Sequence, residues 1–231
     1  MTSTSDTRDA FDNALLAAIA AWRLAPTPEQ IEQLRRHYEL MLRANRTTNL
    51  TRITEPQDAA VKHMADALAL CPWAQRTGLI VARVLDVGTG AGFPAVPLAV
   101  MRPRWQVTAI DGTRKKITFV RDVVRAIGLD NLRADATHAD HWKTHQRFDV
   151  VIARAVGAIA KCLPFAARLT APGGWFVSYK TPSADDTEHD ATERLAVELN
   201  MVRCEPFDYA LTLRGETLSR RLVVFRKHDA A

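Results

Sequence analysis

Apolar and polar positions follow one rhythm in the first seventy residues and another in the rest of the chain. Near the N-terminus, apolar residues recur every three or four positions, as on one face of a helix: Phe11, Leu15, Ile19 and Trp22. A second helix is predicted to begin after Thr27, which can cap it, with Pro28 at the first helical position. A third is predicted from about Gln57 through Leu70, stopping before Pro72.

After Ile80 short apolar runs alternate with amphipathic stretches, which indicates strands alternating with helices. Strands are expected in the runs RVLDVG, WQVTAID, NLRADAT, FDVVIARAV and WFVSYK. Two more are expected near CEPFDYALT and SRRLVVFRK, and the link between them is too short for a helical crossover. These last two strands should therefore pair as antiparallel neighbours.

The alternation predicts an α/β fold. We expect a doubly wound, mostly parallel seven-stranded sheet with an antiparallel last strand, preceded by a small helical N-terminal cap. The expected boundaries are a disordered tail over residues 1–10, the cap over 11–75 and the sheet domain over 76–231.

Composition is that of an ordinary globular protein, with 47% hydrophobic and 25% charged residues. No apolar run approaches the roughly 20 residues that span a bilayer, and the polar N-terminus is unlike a signal peptide. We therefore expect a cytoplasmic protein without membrane association. Cys71, Cys162 and Cys204 are far apart, which predicts reduced thiols rather than disulfides or a zinc site, and no metal is expected.

The formal net charge is +5, and the excess lies in one part of the chain. Through Ile80 there are nine basic and nine acidic residues, whereas 22 basic and 17 acidic residues follow. This modest bias would suit a polyanionic partner.

The run VLDVGTGAGFPAVPLAV, from Val84 to Val100, carries glycines at alternate positions where a strand gives way to a helix. In an open parallel sheet, ligands lie beyond the carboxyl ends of the strands. Phe93 stands where the dinucleotide fingerprint has its third glycine, and the lysine of a phosphate-binding loop is absent. The loop is therefore not predicted to hold a pyrophosphate.

Two aspartates flank this loop. Asp86 precedes the glycines and suits either a ligand with an ammonium group or a loop braced by hydrogen bonds. Asp111 ends the next strand, 19 residues after Gly92, where a carboxylate could accept hydrogen bonds from ribose hydroxyls. A ribose without phosphate and a cationic amino-acid end together describe S-adenosylmethionine.

The sequence also resembles a known family in the order and spacing of several motifs. NLT, HMAD, DVGTGAGFP, RKK and ARA, from about Asn45 to the C-terminus, are similar to the bacterial small-subunit rRNA guanine-N7 methyltransferases (the RsmG/GidB family). The resemblance implies a class I methyltransferase that uses S-adenosylmethionine. It implies methyl transfer to N7 of a guanosine in 16S rRNA, with rRNA or the small ribosomal subunit as the partner.

The resemblance and the positions of residues at strand ends together predict roles for particular residues of this sequence. The expected donor site comprises Asp86, Gly88, Gly90, Phe93, Asp111, Ala139, Asp140 and Arg154. The expected catalytic mouth comprises Arg154, Asn49, His63, Asp66 and Lys180. Basic residues expected to bind RNA are Arg52, Lys62, Arg114, Lys115, Lys116, Lys180, Arg220 and Arg221.

Several positions depart from the family pattern. Ala95 replaces the usual glycine after GFP, His138 replaces an arginine, and Thr181 replaces a glycine. These departures leave open a methyltransferase for another RNA or a small molecule, or a non-catalytic donor-binding rRNA assembly factor.

The chemistry of N7 transfer fits what the sequence lacks. Guanine N7 carries a free lone pair, so alignment is needed more than a general base. The chain has ARAVGA where amino-group methyltransferases carry an (Asn/Asp)-Pro-Pro-aromatic motif, and Cys162 lies in a predicted helix rather than after proline. Ring-nitrogen and oxygen methylation stay open on these grounds; only the resemblance selects N7. We expect the enzyme to be a monomer.

Overall fold

The strands and helices after residue 80 alternate as predicted, in a computed structural model that describes residues 4–229. The strands are β1 (Arg83–Val87), β2 (Gln106–Asp111), β3 (Leu132–Ala136), β4 (Phe148–Arg154), β5 (Thr170–Lys180), β6 (Met201–Arg203), β7 (Phe207–Leu213) and β8 (Glu216–Lys227). The helices between them are α6 (Ala95–Met101), α7 (Arg114–Ala126), α8 (Ile159–Leu169) and α9 (Pro182–Glu198).

The sheet has the strand order β3-β2-β1-β4-β5-β8, and both β6 and β7 pair with β8. Strands β1 to β5 are parallel, whereas β8 runs antiparallel to β5. The chain moves from β1 to β2 in one direction and later returns to β4 on the other side of β1. The carboxyl ends of β1 and β4 therefore form the switch point where ligands bind in such sheets.

Residues 4–229 contain eight strand segments, one more than the seven expected. The extra segment arises because the edge strand is interrupted: Arg203 pairs with Phe225 and Phe207 with Leu222, so one residue is left over on the edge. Such an extra residue is a bulge. The last two strands pair as antiparallel neighbours, as predicted, and the link between them is a two-residue turn at Arg214 and Gly215, both at positive φ.

The N-terminal helices are longer than the sequence indicated. They are α1 (Thr4–Ile19), α2 (Pro28–Thr48), α3 (Pro56–Ala59), a π-helical turn (Ala60–Ala65), α4 (Asp66–Leu68) and α5 (Leu70–Arg76). Thr27 caps α2 as predicted, since its side chain accepts a hydrogen bond from the Gln30 backbone. Pro72 does not end the helical region. It lies in the first turn of α5, where a missing N–H costs little.

Part of the segment expected to be a disordered tail, residues 1–10, is helical. Helix α1 already includes Thr4, and residues 1–3 lie outside the described range. Burial of Phe11 and Leu15, together with the 2.9 Å ion pair between Arg8 and Glu39 of α2, extends the ordered helix towards the N-terminus.

The cap and the sheet share one hydrophobic core. The same buried cluster contains Phe11 and Leu34 of the cap, Met64 of the π-helical turn and Val96 and Val120 of the sheet domain. A second cluster covers the opposite sheet face beneath α8 and α9. The hydrophobic core therefore continues across the boundary expected at residue 75. This shared core holds the cap against the sheet domain near the switch point.

Candidate active site

The glycine loop leaves β1 at the switch point. Gly88 has φ +72°, and the N–H groups of Gly88 and Thr89 donate to the Ile110 carbonyl at 2.8 and 3.0 Å. Gly92 has φ +90°, and a Cβ there would lie 2.8 Å from Val96 Cγ2. These conformations and close approaches explain why glycine is needed at both positions.

Asp86 and Asp111 hold the loop from two sides. Asp86 is fully buried and accepts a hydrogen bond from the Ala95 N–H at 3.1 Å, and burial raises its pKa to about 6. Of the two roles open to Asp86, these contacts favour the brace. Asp111 Oδ1 accepts from the Thr113 N–H at 2.8 Å and Oδ2 from the Gly90 N–H at 3.1 Å. Asp111 Oδ2 also pairs with Lys116 Nζ at 3.5 Å, whereas Oδ1 keeps a lone pair for a further donor.

A cavity of about 270 Å³ lies beside this loop. Gly88, Asp111, Ala139 and Val156 contribute to its wall. A Cβ on Gly88 would approach Val156 Cγ2 to 2.8 Å, so the bare backbone keeps this wall open. A glycine wall with a carboxylate at the end of the second strand fits the ribose and methionine parts of S-adenosylmethionine, so these residues suit the donor.

Five residues expected at the donor do not line this cavity: Asp86, Gly90, Phe93, Asp140 and Arg154. Asp140 is exposed, is not part of the cavity wall and pairs with His138 Nδ1 at 3.2 Å. Phe93 is 5% exposed and is packed between two imidazoles, with ring-centroid distances of 4.6 Å to His37 and 4.7 Å to His63. The Phe93 ring therefore packs against these two histidines and does not line the cavity.

Both histidines of this stack are neutral at pH 7. Burial lowers the pKa of His37 to about 4, and burial with the nearby Arg154 charge lowers the pKa of His63 to about 3. His37 Nε2 contacts the Ala91 carbonyl at 2.7 Å. Sequence reasoning missed His37, although its position on the apolar face of α2 was a signal of burial.

Arg154 ends β4 at the mouth of the site, as predicted. Its Nη1 donates to Asp66 Oδ2 at 2.9 Å, and its guanidinium lies 5.4 Å from the centre of the Phe93 ring. His63 is adjacent, with Nδ1 3.5 Å from Arg154 Nη2. The structure thus brings Arg154, His63 and Asp66 together from distant parts of the chain.

Asp66 has two further partners in the C-terminal hairpin β7–β8. The Tyr209 hydroxyl donates to Asp66 Oδ1 at 2.7 Å, and Arg220 Nε lies 3.7 Å from the same oxygen. Tyr209 was not predicted as a site residue, because nothing in its local sequence shows that it reaches a residue 143 positions away.

Lys180 and Asn49 lie beside this cluster rather than within it. Lys180 Nζ donates to the Gly157 carbonyl at 2.8 Å and pairs with Glu188 at 3.3 Å, so it braces the loop after Arg154. Asn49 ends α2 at φ +48° and is exposed. Its loop is tied to the mouth by Thr51, whose Oγ1 lies 2.9 Å from His63 Nε2.

Five of the eight basic residues expected to bind RNA differ in their exposure and in whether they pair with a carboxylate. Arg52, Arg114 and Lys115 are exposed near the carboxyl edge of the sheet or in the loop before the π-helical turn. Lys62 and Lys116 instead pair with carboxylates, Asp58 at 2.7 Å and Asp111 at 3.5 Å.

Arg221 departs from the expectation. It donates to both oxygens of Asp208, at 2.6 and 2.7 Å, and to Asp185 and Asp186 at 3.1 Å each. These carboxylates compensate its charge within the protein. Arg221 directly follows Arg220 on β8, so the two side chains point to opposite faces of the sheet. These contacts favour a structural role for Arg221 on β8.

Other chemistry is disfavoured by what surrounds the candidate groups. Cys162 is buried, and burial raises its pKa to about 11, so its thiol is a poor nucleophile at pH 7. Within residues 4–229 no cluster of three or more His, Cys, Asp or Glu side chains could hold a metal ion. Within the same residues no helix has the length and apolar character to cross a membrane.

Several solved structures that resemble this one are described as methyltransferases. A precorrin-6y C5,15-methyltransferase from Geobacter metallireducens matches with a TM-score of 0.53 and 14% identity, over 77% of this chain and 90% of that chain. A Pyrococcus horikoshii protein described as a candidate RNA methyltransferase matches with a TM-score of 0.55 and 14% identity, over 82% and 98%. At this identity the likeness shows the class I methyltransferase fold alone.

Sequence comparison is more specific. The profile of the family described as rRNA small subunit methyltransferase G matches residues 30–207. A ribosomal RNA small subunit methyltransferase G from Thermosynechococcus vestitus is 40% identical over 171 residues, covering 71% of this chain and 74% of that protein. Its counterpart from an Exiguobacterium species is 32% identical over 220 residues, covering 94% and 90%. This chain belongs to the rRNA small subunit methyltransferase G family.

Proposed function

We propose that this protein transfers a methyl group from S-adenosylmethionine to N7 of a guanosine in 16S rRNA. The observation that carries the proposal is the adjacency of two features at the switch point. The glycine-walled cavity follows β1, and Arg154 ends β4, which pairs directly with β1. A donor in the cavity and a base at Arg154 would meet at this one edge of the sheet.

The donor would be held by the backbone around Gly88, by the free lone pair of Asp111 Oδ1 and by the wall at Ala139. When bound, S-adenosylmethionine supplies a methyl group on a sulfonium sulfur. The Gly88 backbone and Val156 shape the cavity, and Asp86 keeps the loop in place through the Ala95 N–H.

The protonation states around Arg154 fit a nucleophile that needs no general base. His63 is neutral, but its Nε2 is engaged with Thr51 and its Nδ1 faces Arg154. Asp66 is engaged by Arg154 and Tyr209. Guanine N7 attacks with a free lone pair, so these groups serve alignment and electrostatic stabilisation rather than proton removal.

Arg154 is the residue proposed to contact the substrate base. Its Nη1 is held by Asp66, while the guanidinium still offers N–H donors for guanine O6 or a phosphate. Attack through N7 makes the base cationic, and the carboxylate of Asp66 beside Arg154 would offset part of that charge.

The RNA is proposed to lie along the basic residues near this edge. Arg52, Arg114 and Lys115 are exposed and would contact phosphates directly. Lys62, Lys116 and Arg220 would do so by exchanging a carboxylate partner for a phosphate. We propose a monomer that acts in the cytoplasm on rRNA or the small subunit.

The test is a methyl-transfer assay with radiolabelled S-adenosylmethionine. Substrates are small subunits and bare 16S rRNA purified separately from a strain that lacks the enzyme. Arg154→Ala is compared with Arg226→Ala, a matched variant whose guanidinium lies over Trp175 at 5.1 Å, away from the mouth. We expect label in a single guanosine that N7-specific chemistry cleaves, lost in Arg154→Ala and retained in Arg226→Ala.

Two outcomes would contradict the proposal. Label in a small molecule or another RNA, but not in 16S rRNA, would assign a different acceptor. Binding of donor and rRNA without turnover would favour a non-catalytic assembly factor, which the substitutions Ala95, His138 and Thr181 leave open.

A further inference from the structure

The C-terminal hairpin is joined to the helical cap by two charged contacts. Arg214, in the β7–β8 turn, pairs with Asp58 of α3 at 2.8 Å. Tyr209 and Arg220 are register partners on β7 and β8, and both reach Asp66 at the start of α4. The hairpin therefore holds the helical segment that carries His63 and Asp66.

The two oxygens of Asp66 have separate partners. Oδ2 accepts from Arg154 at 2.9 Å, whereas Oδ1 accepts from the Tyr209 hydroxyl at 2.7 Å. Because one oxygen is held on each side, the tyrosine fixes the rotation of the carboxylate and so the position of Oδ2. Tyr209 is 8% exposed, and the Asp66 side chain is 11% exposed, so water competes little for this bond.

Arg220 interacts more weakly with the Asp66 carboxylate than Tyr209 does. Its Nε lies 3.7 Å from Oδ1, beyond hydrogen-bond distance, and its side chain is 28% exposed. The neutral hydroxyl of Tyr209 is the short, buried contact, and it would persist if Arg220 turned towards an RNA phosphate.

We propose that Tyr209 is a positioning residue that acts through Asp66 to hold Arg154 in the orientation required for methyl transfer. Tyr209 does not contact the donor cavity, and its effect passes through one carboxylate to the guanidinium. The inference rests on the proposed function, because the reaction that it supports is rRNA methyl transfer.

The experiment compares Tyr209→Phe with Tyr38→Phe in the full-length protein. The Tyr38 hydroxyl donates to the Thr54 carbonyl, also at 2.7 Å, and Tyr38 is 2% exposed. Both variants lose one buried hydroxyl and its hydrogen bond, but only Tyr209→Phe releases Asp66. Kinetics are measured on small subunits, with donor affinity by calorimetry and thermal unfolding by circular dichroism.

We expect Tyr209→Phe to lower kcat about ten-fold, the scale of one lost hydrogen bond. The KM for the subunit and the donor affinity should change by less than about three-fold, since one weak contact changes binding by that order. Tyr38→Phe should keep the wild-type kcat. Both variants should show a similar decrease in unfolding temperature, so stability would not explain the difference in kcat.

A double-mutant cycle with Asp66→Ala tests the route of the effect. If Tyr209 acts through Asp66, adding Tyr209→Phe to Asp66→Ala should leave kcat unchanged. An equal ten-fold decrease in both backgrounds would overturn the proposal, as would a kcat for Tyr209→Phe that matches Tyr38→Phe. A wild-type protein without turnover on rRNA would instead overturn the proposed function, so the two failures are distinguishable.

Discussion

Replacing Gly88 with alanine tests whether the cavity beside the glycine loop holds the methyl donor. Two costs are visible in the structure. Gly88 has φ +72°, where an L-residue with a Cβ is disfavoured by about 1–2 kcal/mol. The added Cβ would also lie 2.8 Å from Val156 Cγ2, closer than two carbon atoms can approach.

Gly78 provides a matched control for the first cost. It has φ +71°, but a Cβ there would meet no atom within 4 Å. Gly78→Ala should therefore lower the unfolding free energy by about 1–2 kcal/mol through backbone strain alone. Val156 is 37% exposed, so in Gly88→Ala it can move and relieve most of the second contact. The two variants should lose similar stability in urea unfolding.

Donor affinity should separate the two variants. Val156 and Gly88 form one wall of the cavity, so a displaced Val156 intrudes on the donor. Overpacking costs about 1–3 kcal/mol, which corresponds to roughly a 5- to 150-fold loss of affinity in calorimetry. Gly78→Ala should bind donor normally, and Val156→Ala should partly rescue Gly88→Ala. Wild-type donor affinity in Gly88→Ala would refute the assignment of this cavity.

Four further predictions concern the site and its surroundings. Arg154→Ala should lower kcat about 100-fold or more, as loss of a transition-state donor does, with donor affinity retained in calorimetry; equal loss of both would contradict a role at the substrate. Burial lowers the pKa of His37 to about 4, so between about pH 4 and 6.5 the unfolded chain binds a proton at this residue more readily than the folded protein does. The free energy of unfolding of the wild type should therefore rise by about 3 kcal/mol over this pH range because of His37. His37→Gln should lose that rise in urea unfolding. The raised pKa of Asp86, about 6, has the opposite effect: its contribution to the free energy of unfolding is lost as pH rises from 3.8 through about 6. Asp86→Asn should therefore make the free energy of unfolding rise more steeply with pH. An unchanged slope would show that the Asp86 carboxylate titrates normally. In filter binding at several salt concentrations, Arg114→Ala should reduce the salt slope of RNA affinity by about one and Arg221→Ala should leave it unchanged; equal effects would place Arg221 on the RNA.

Much of the fold could be read from local patterns. Periodicity located α2 and its Thr27 cap. Apolar runs located strands such as β1, β2 and β4, because burial on both faces of a parallel sheet requires such runs. Interruptions were harder to foresee. The extra residue between Arg203 and Phe207 is defined only by pairing with β8, and pairing partners do not appear in local sequence.

The site was predictable to the extent that its residues follow strand ends. Asp111 is the last residue of β2 and Arg154 the last residue of β4. Because the carboxyl ends of parallel strands lie at the same edge of the sheet, the positions of these two residues followed from the topology. Local sequence says less about side chains whose direction depends on tertiary neighbours. Arg221 is close to the expected surface but is neutralised by Asp185 and Asp208, which lie on other elements.

Tyr209 shows why the remaining part of the site depends on register. On β7 the burial alternates, with Tyr209 and Leu211 buried and Ala210 exposed between them. A one-residue slip of β7 against β8 would turn every β7 side chain to the other face and remove the hydroxyl from Asp66. The two-residue turn at Arg214 and Gly215 fixes this register. A hairpin turn at the edge of the sheet therefore determines which side chain holds the carboxylate beside Arg154, and the precision of the mouth depends on it.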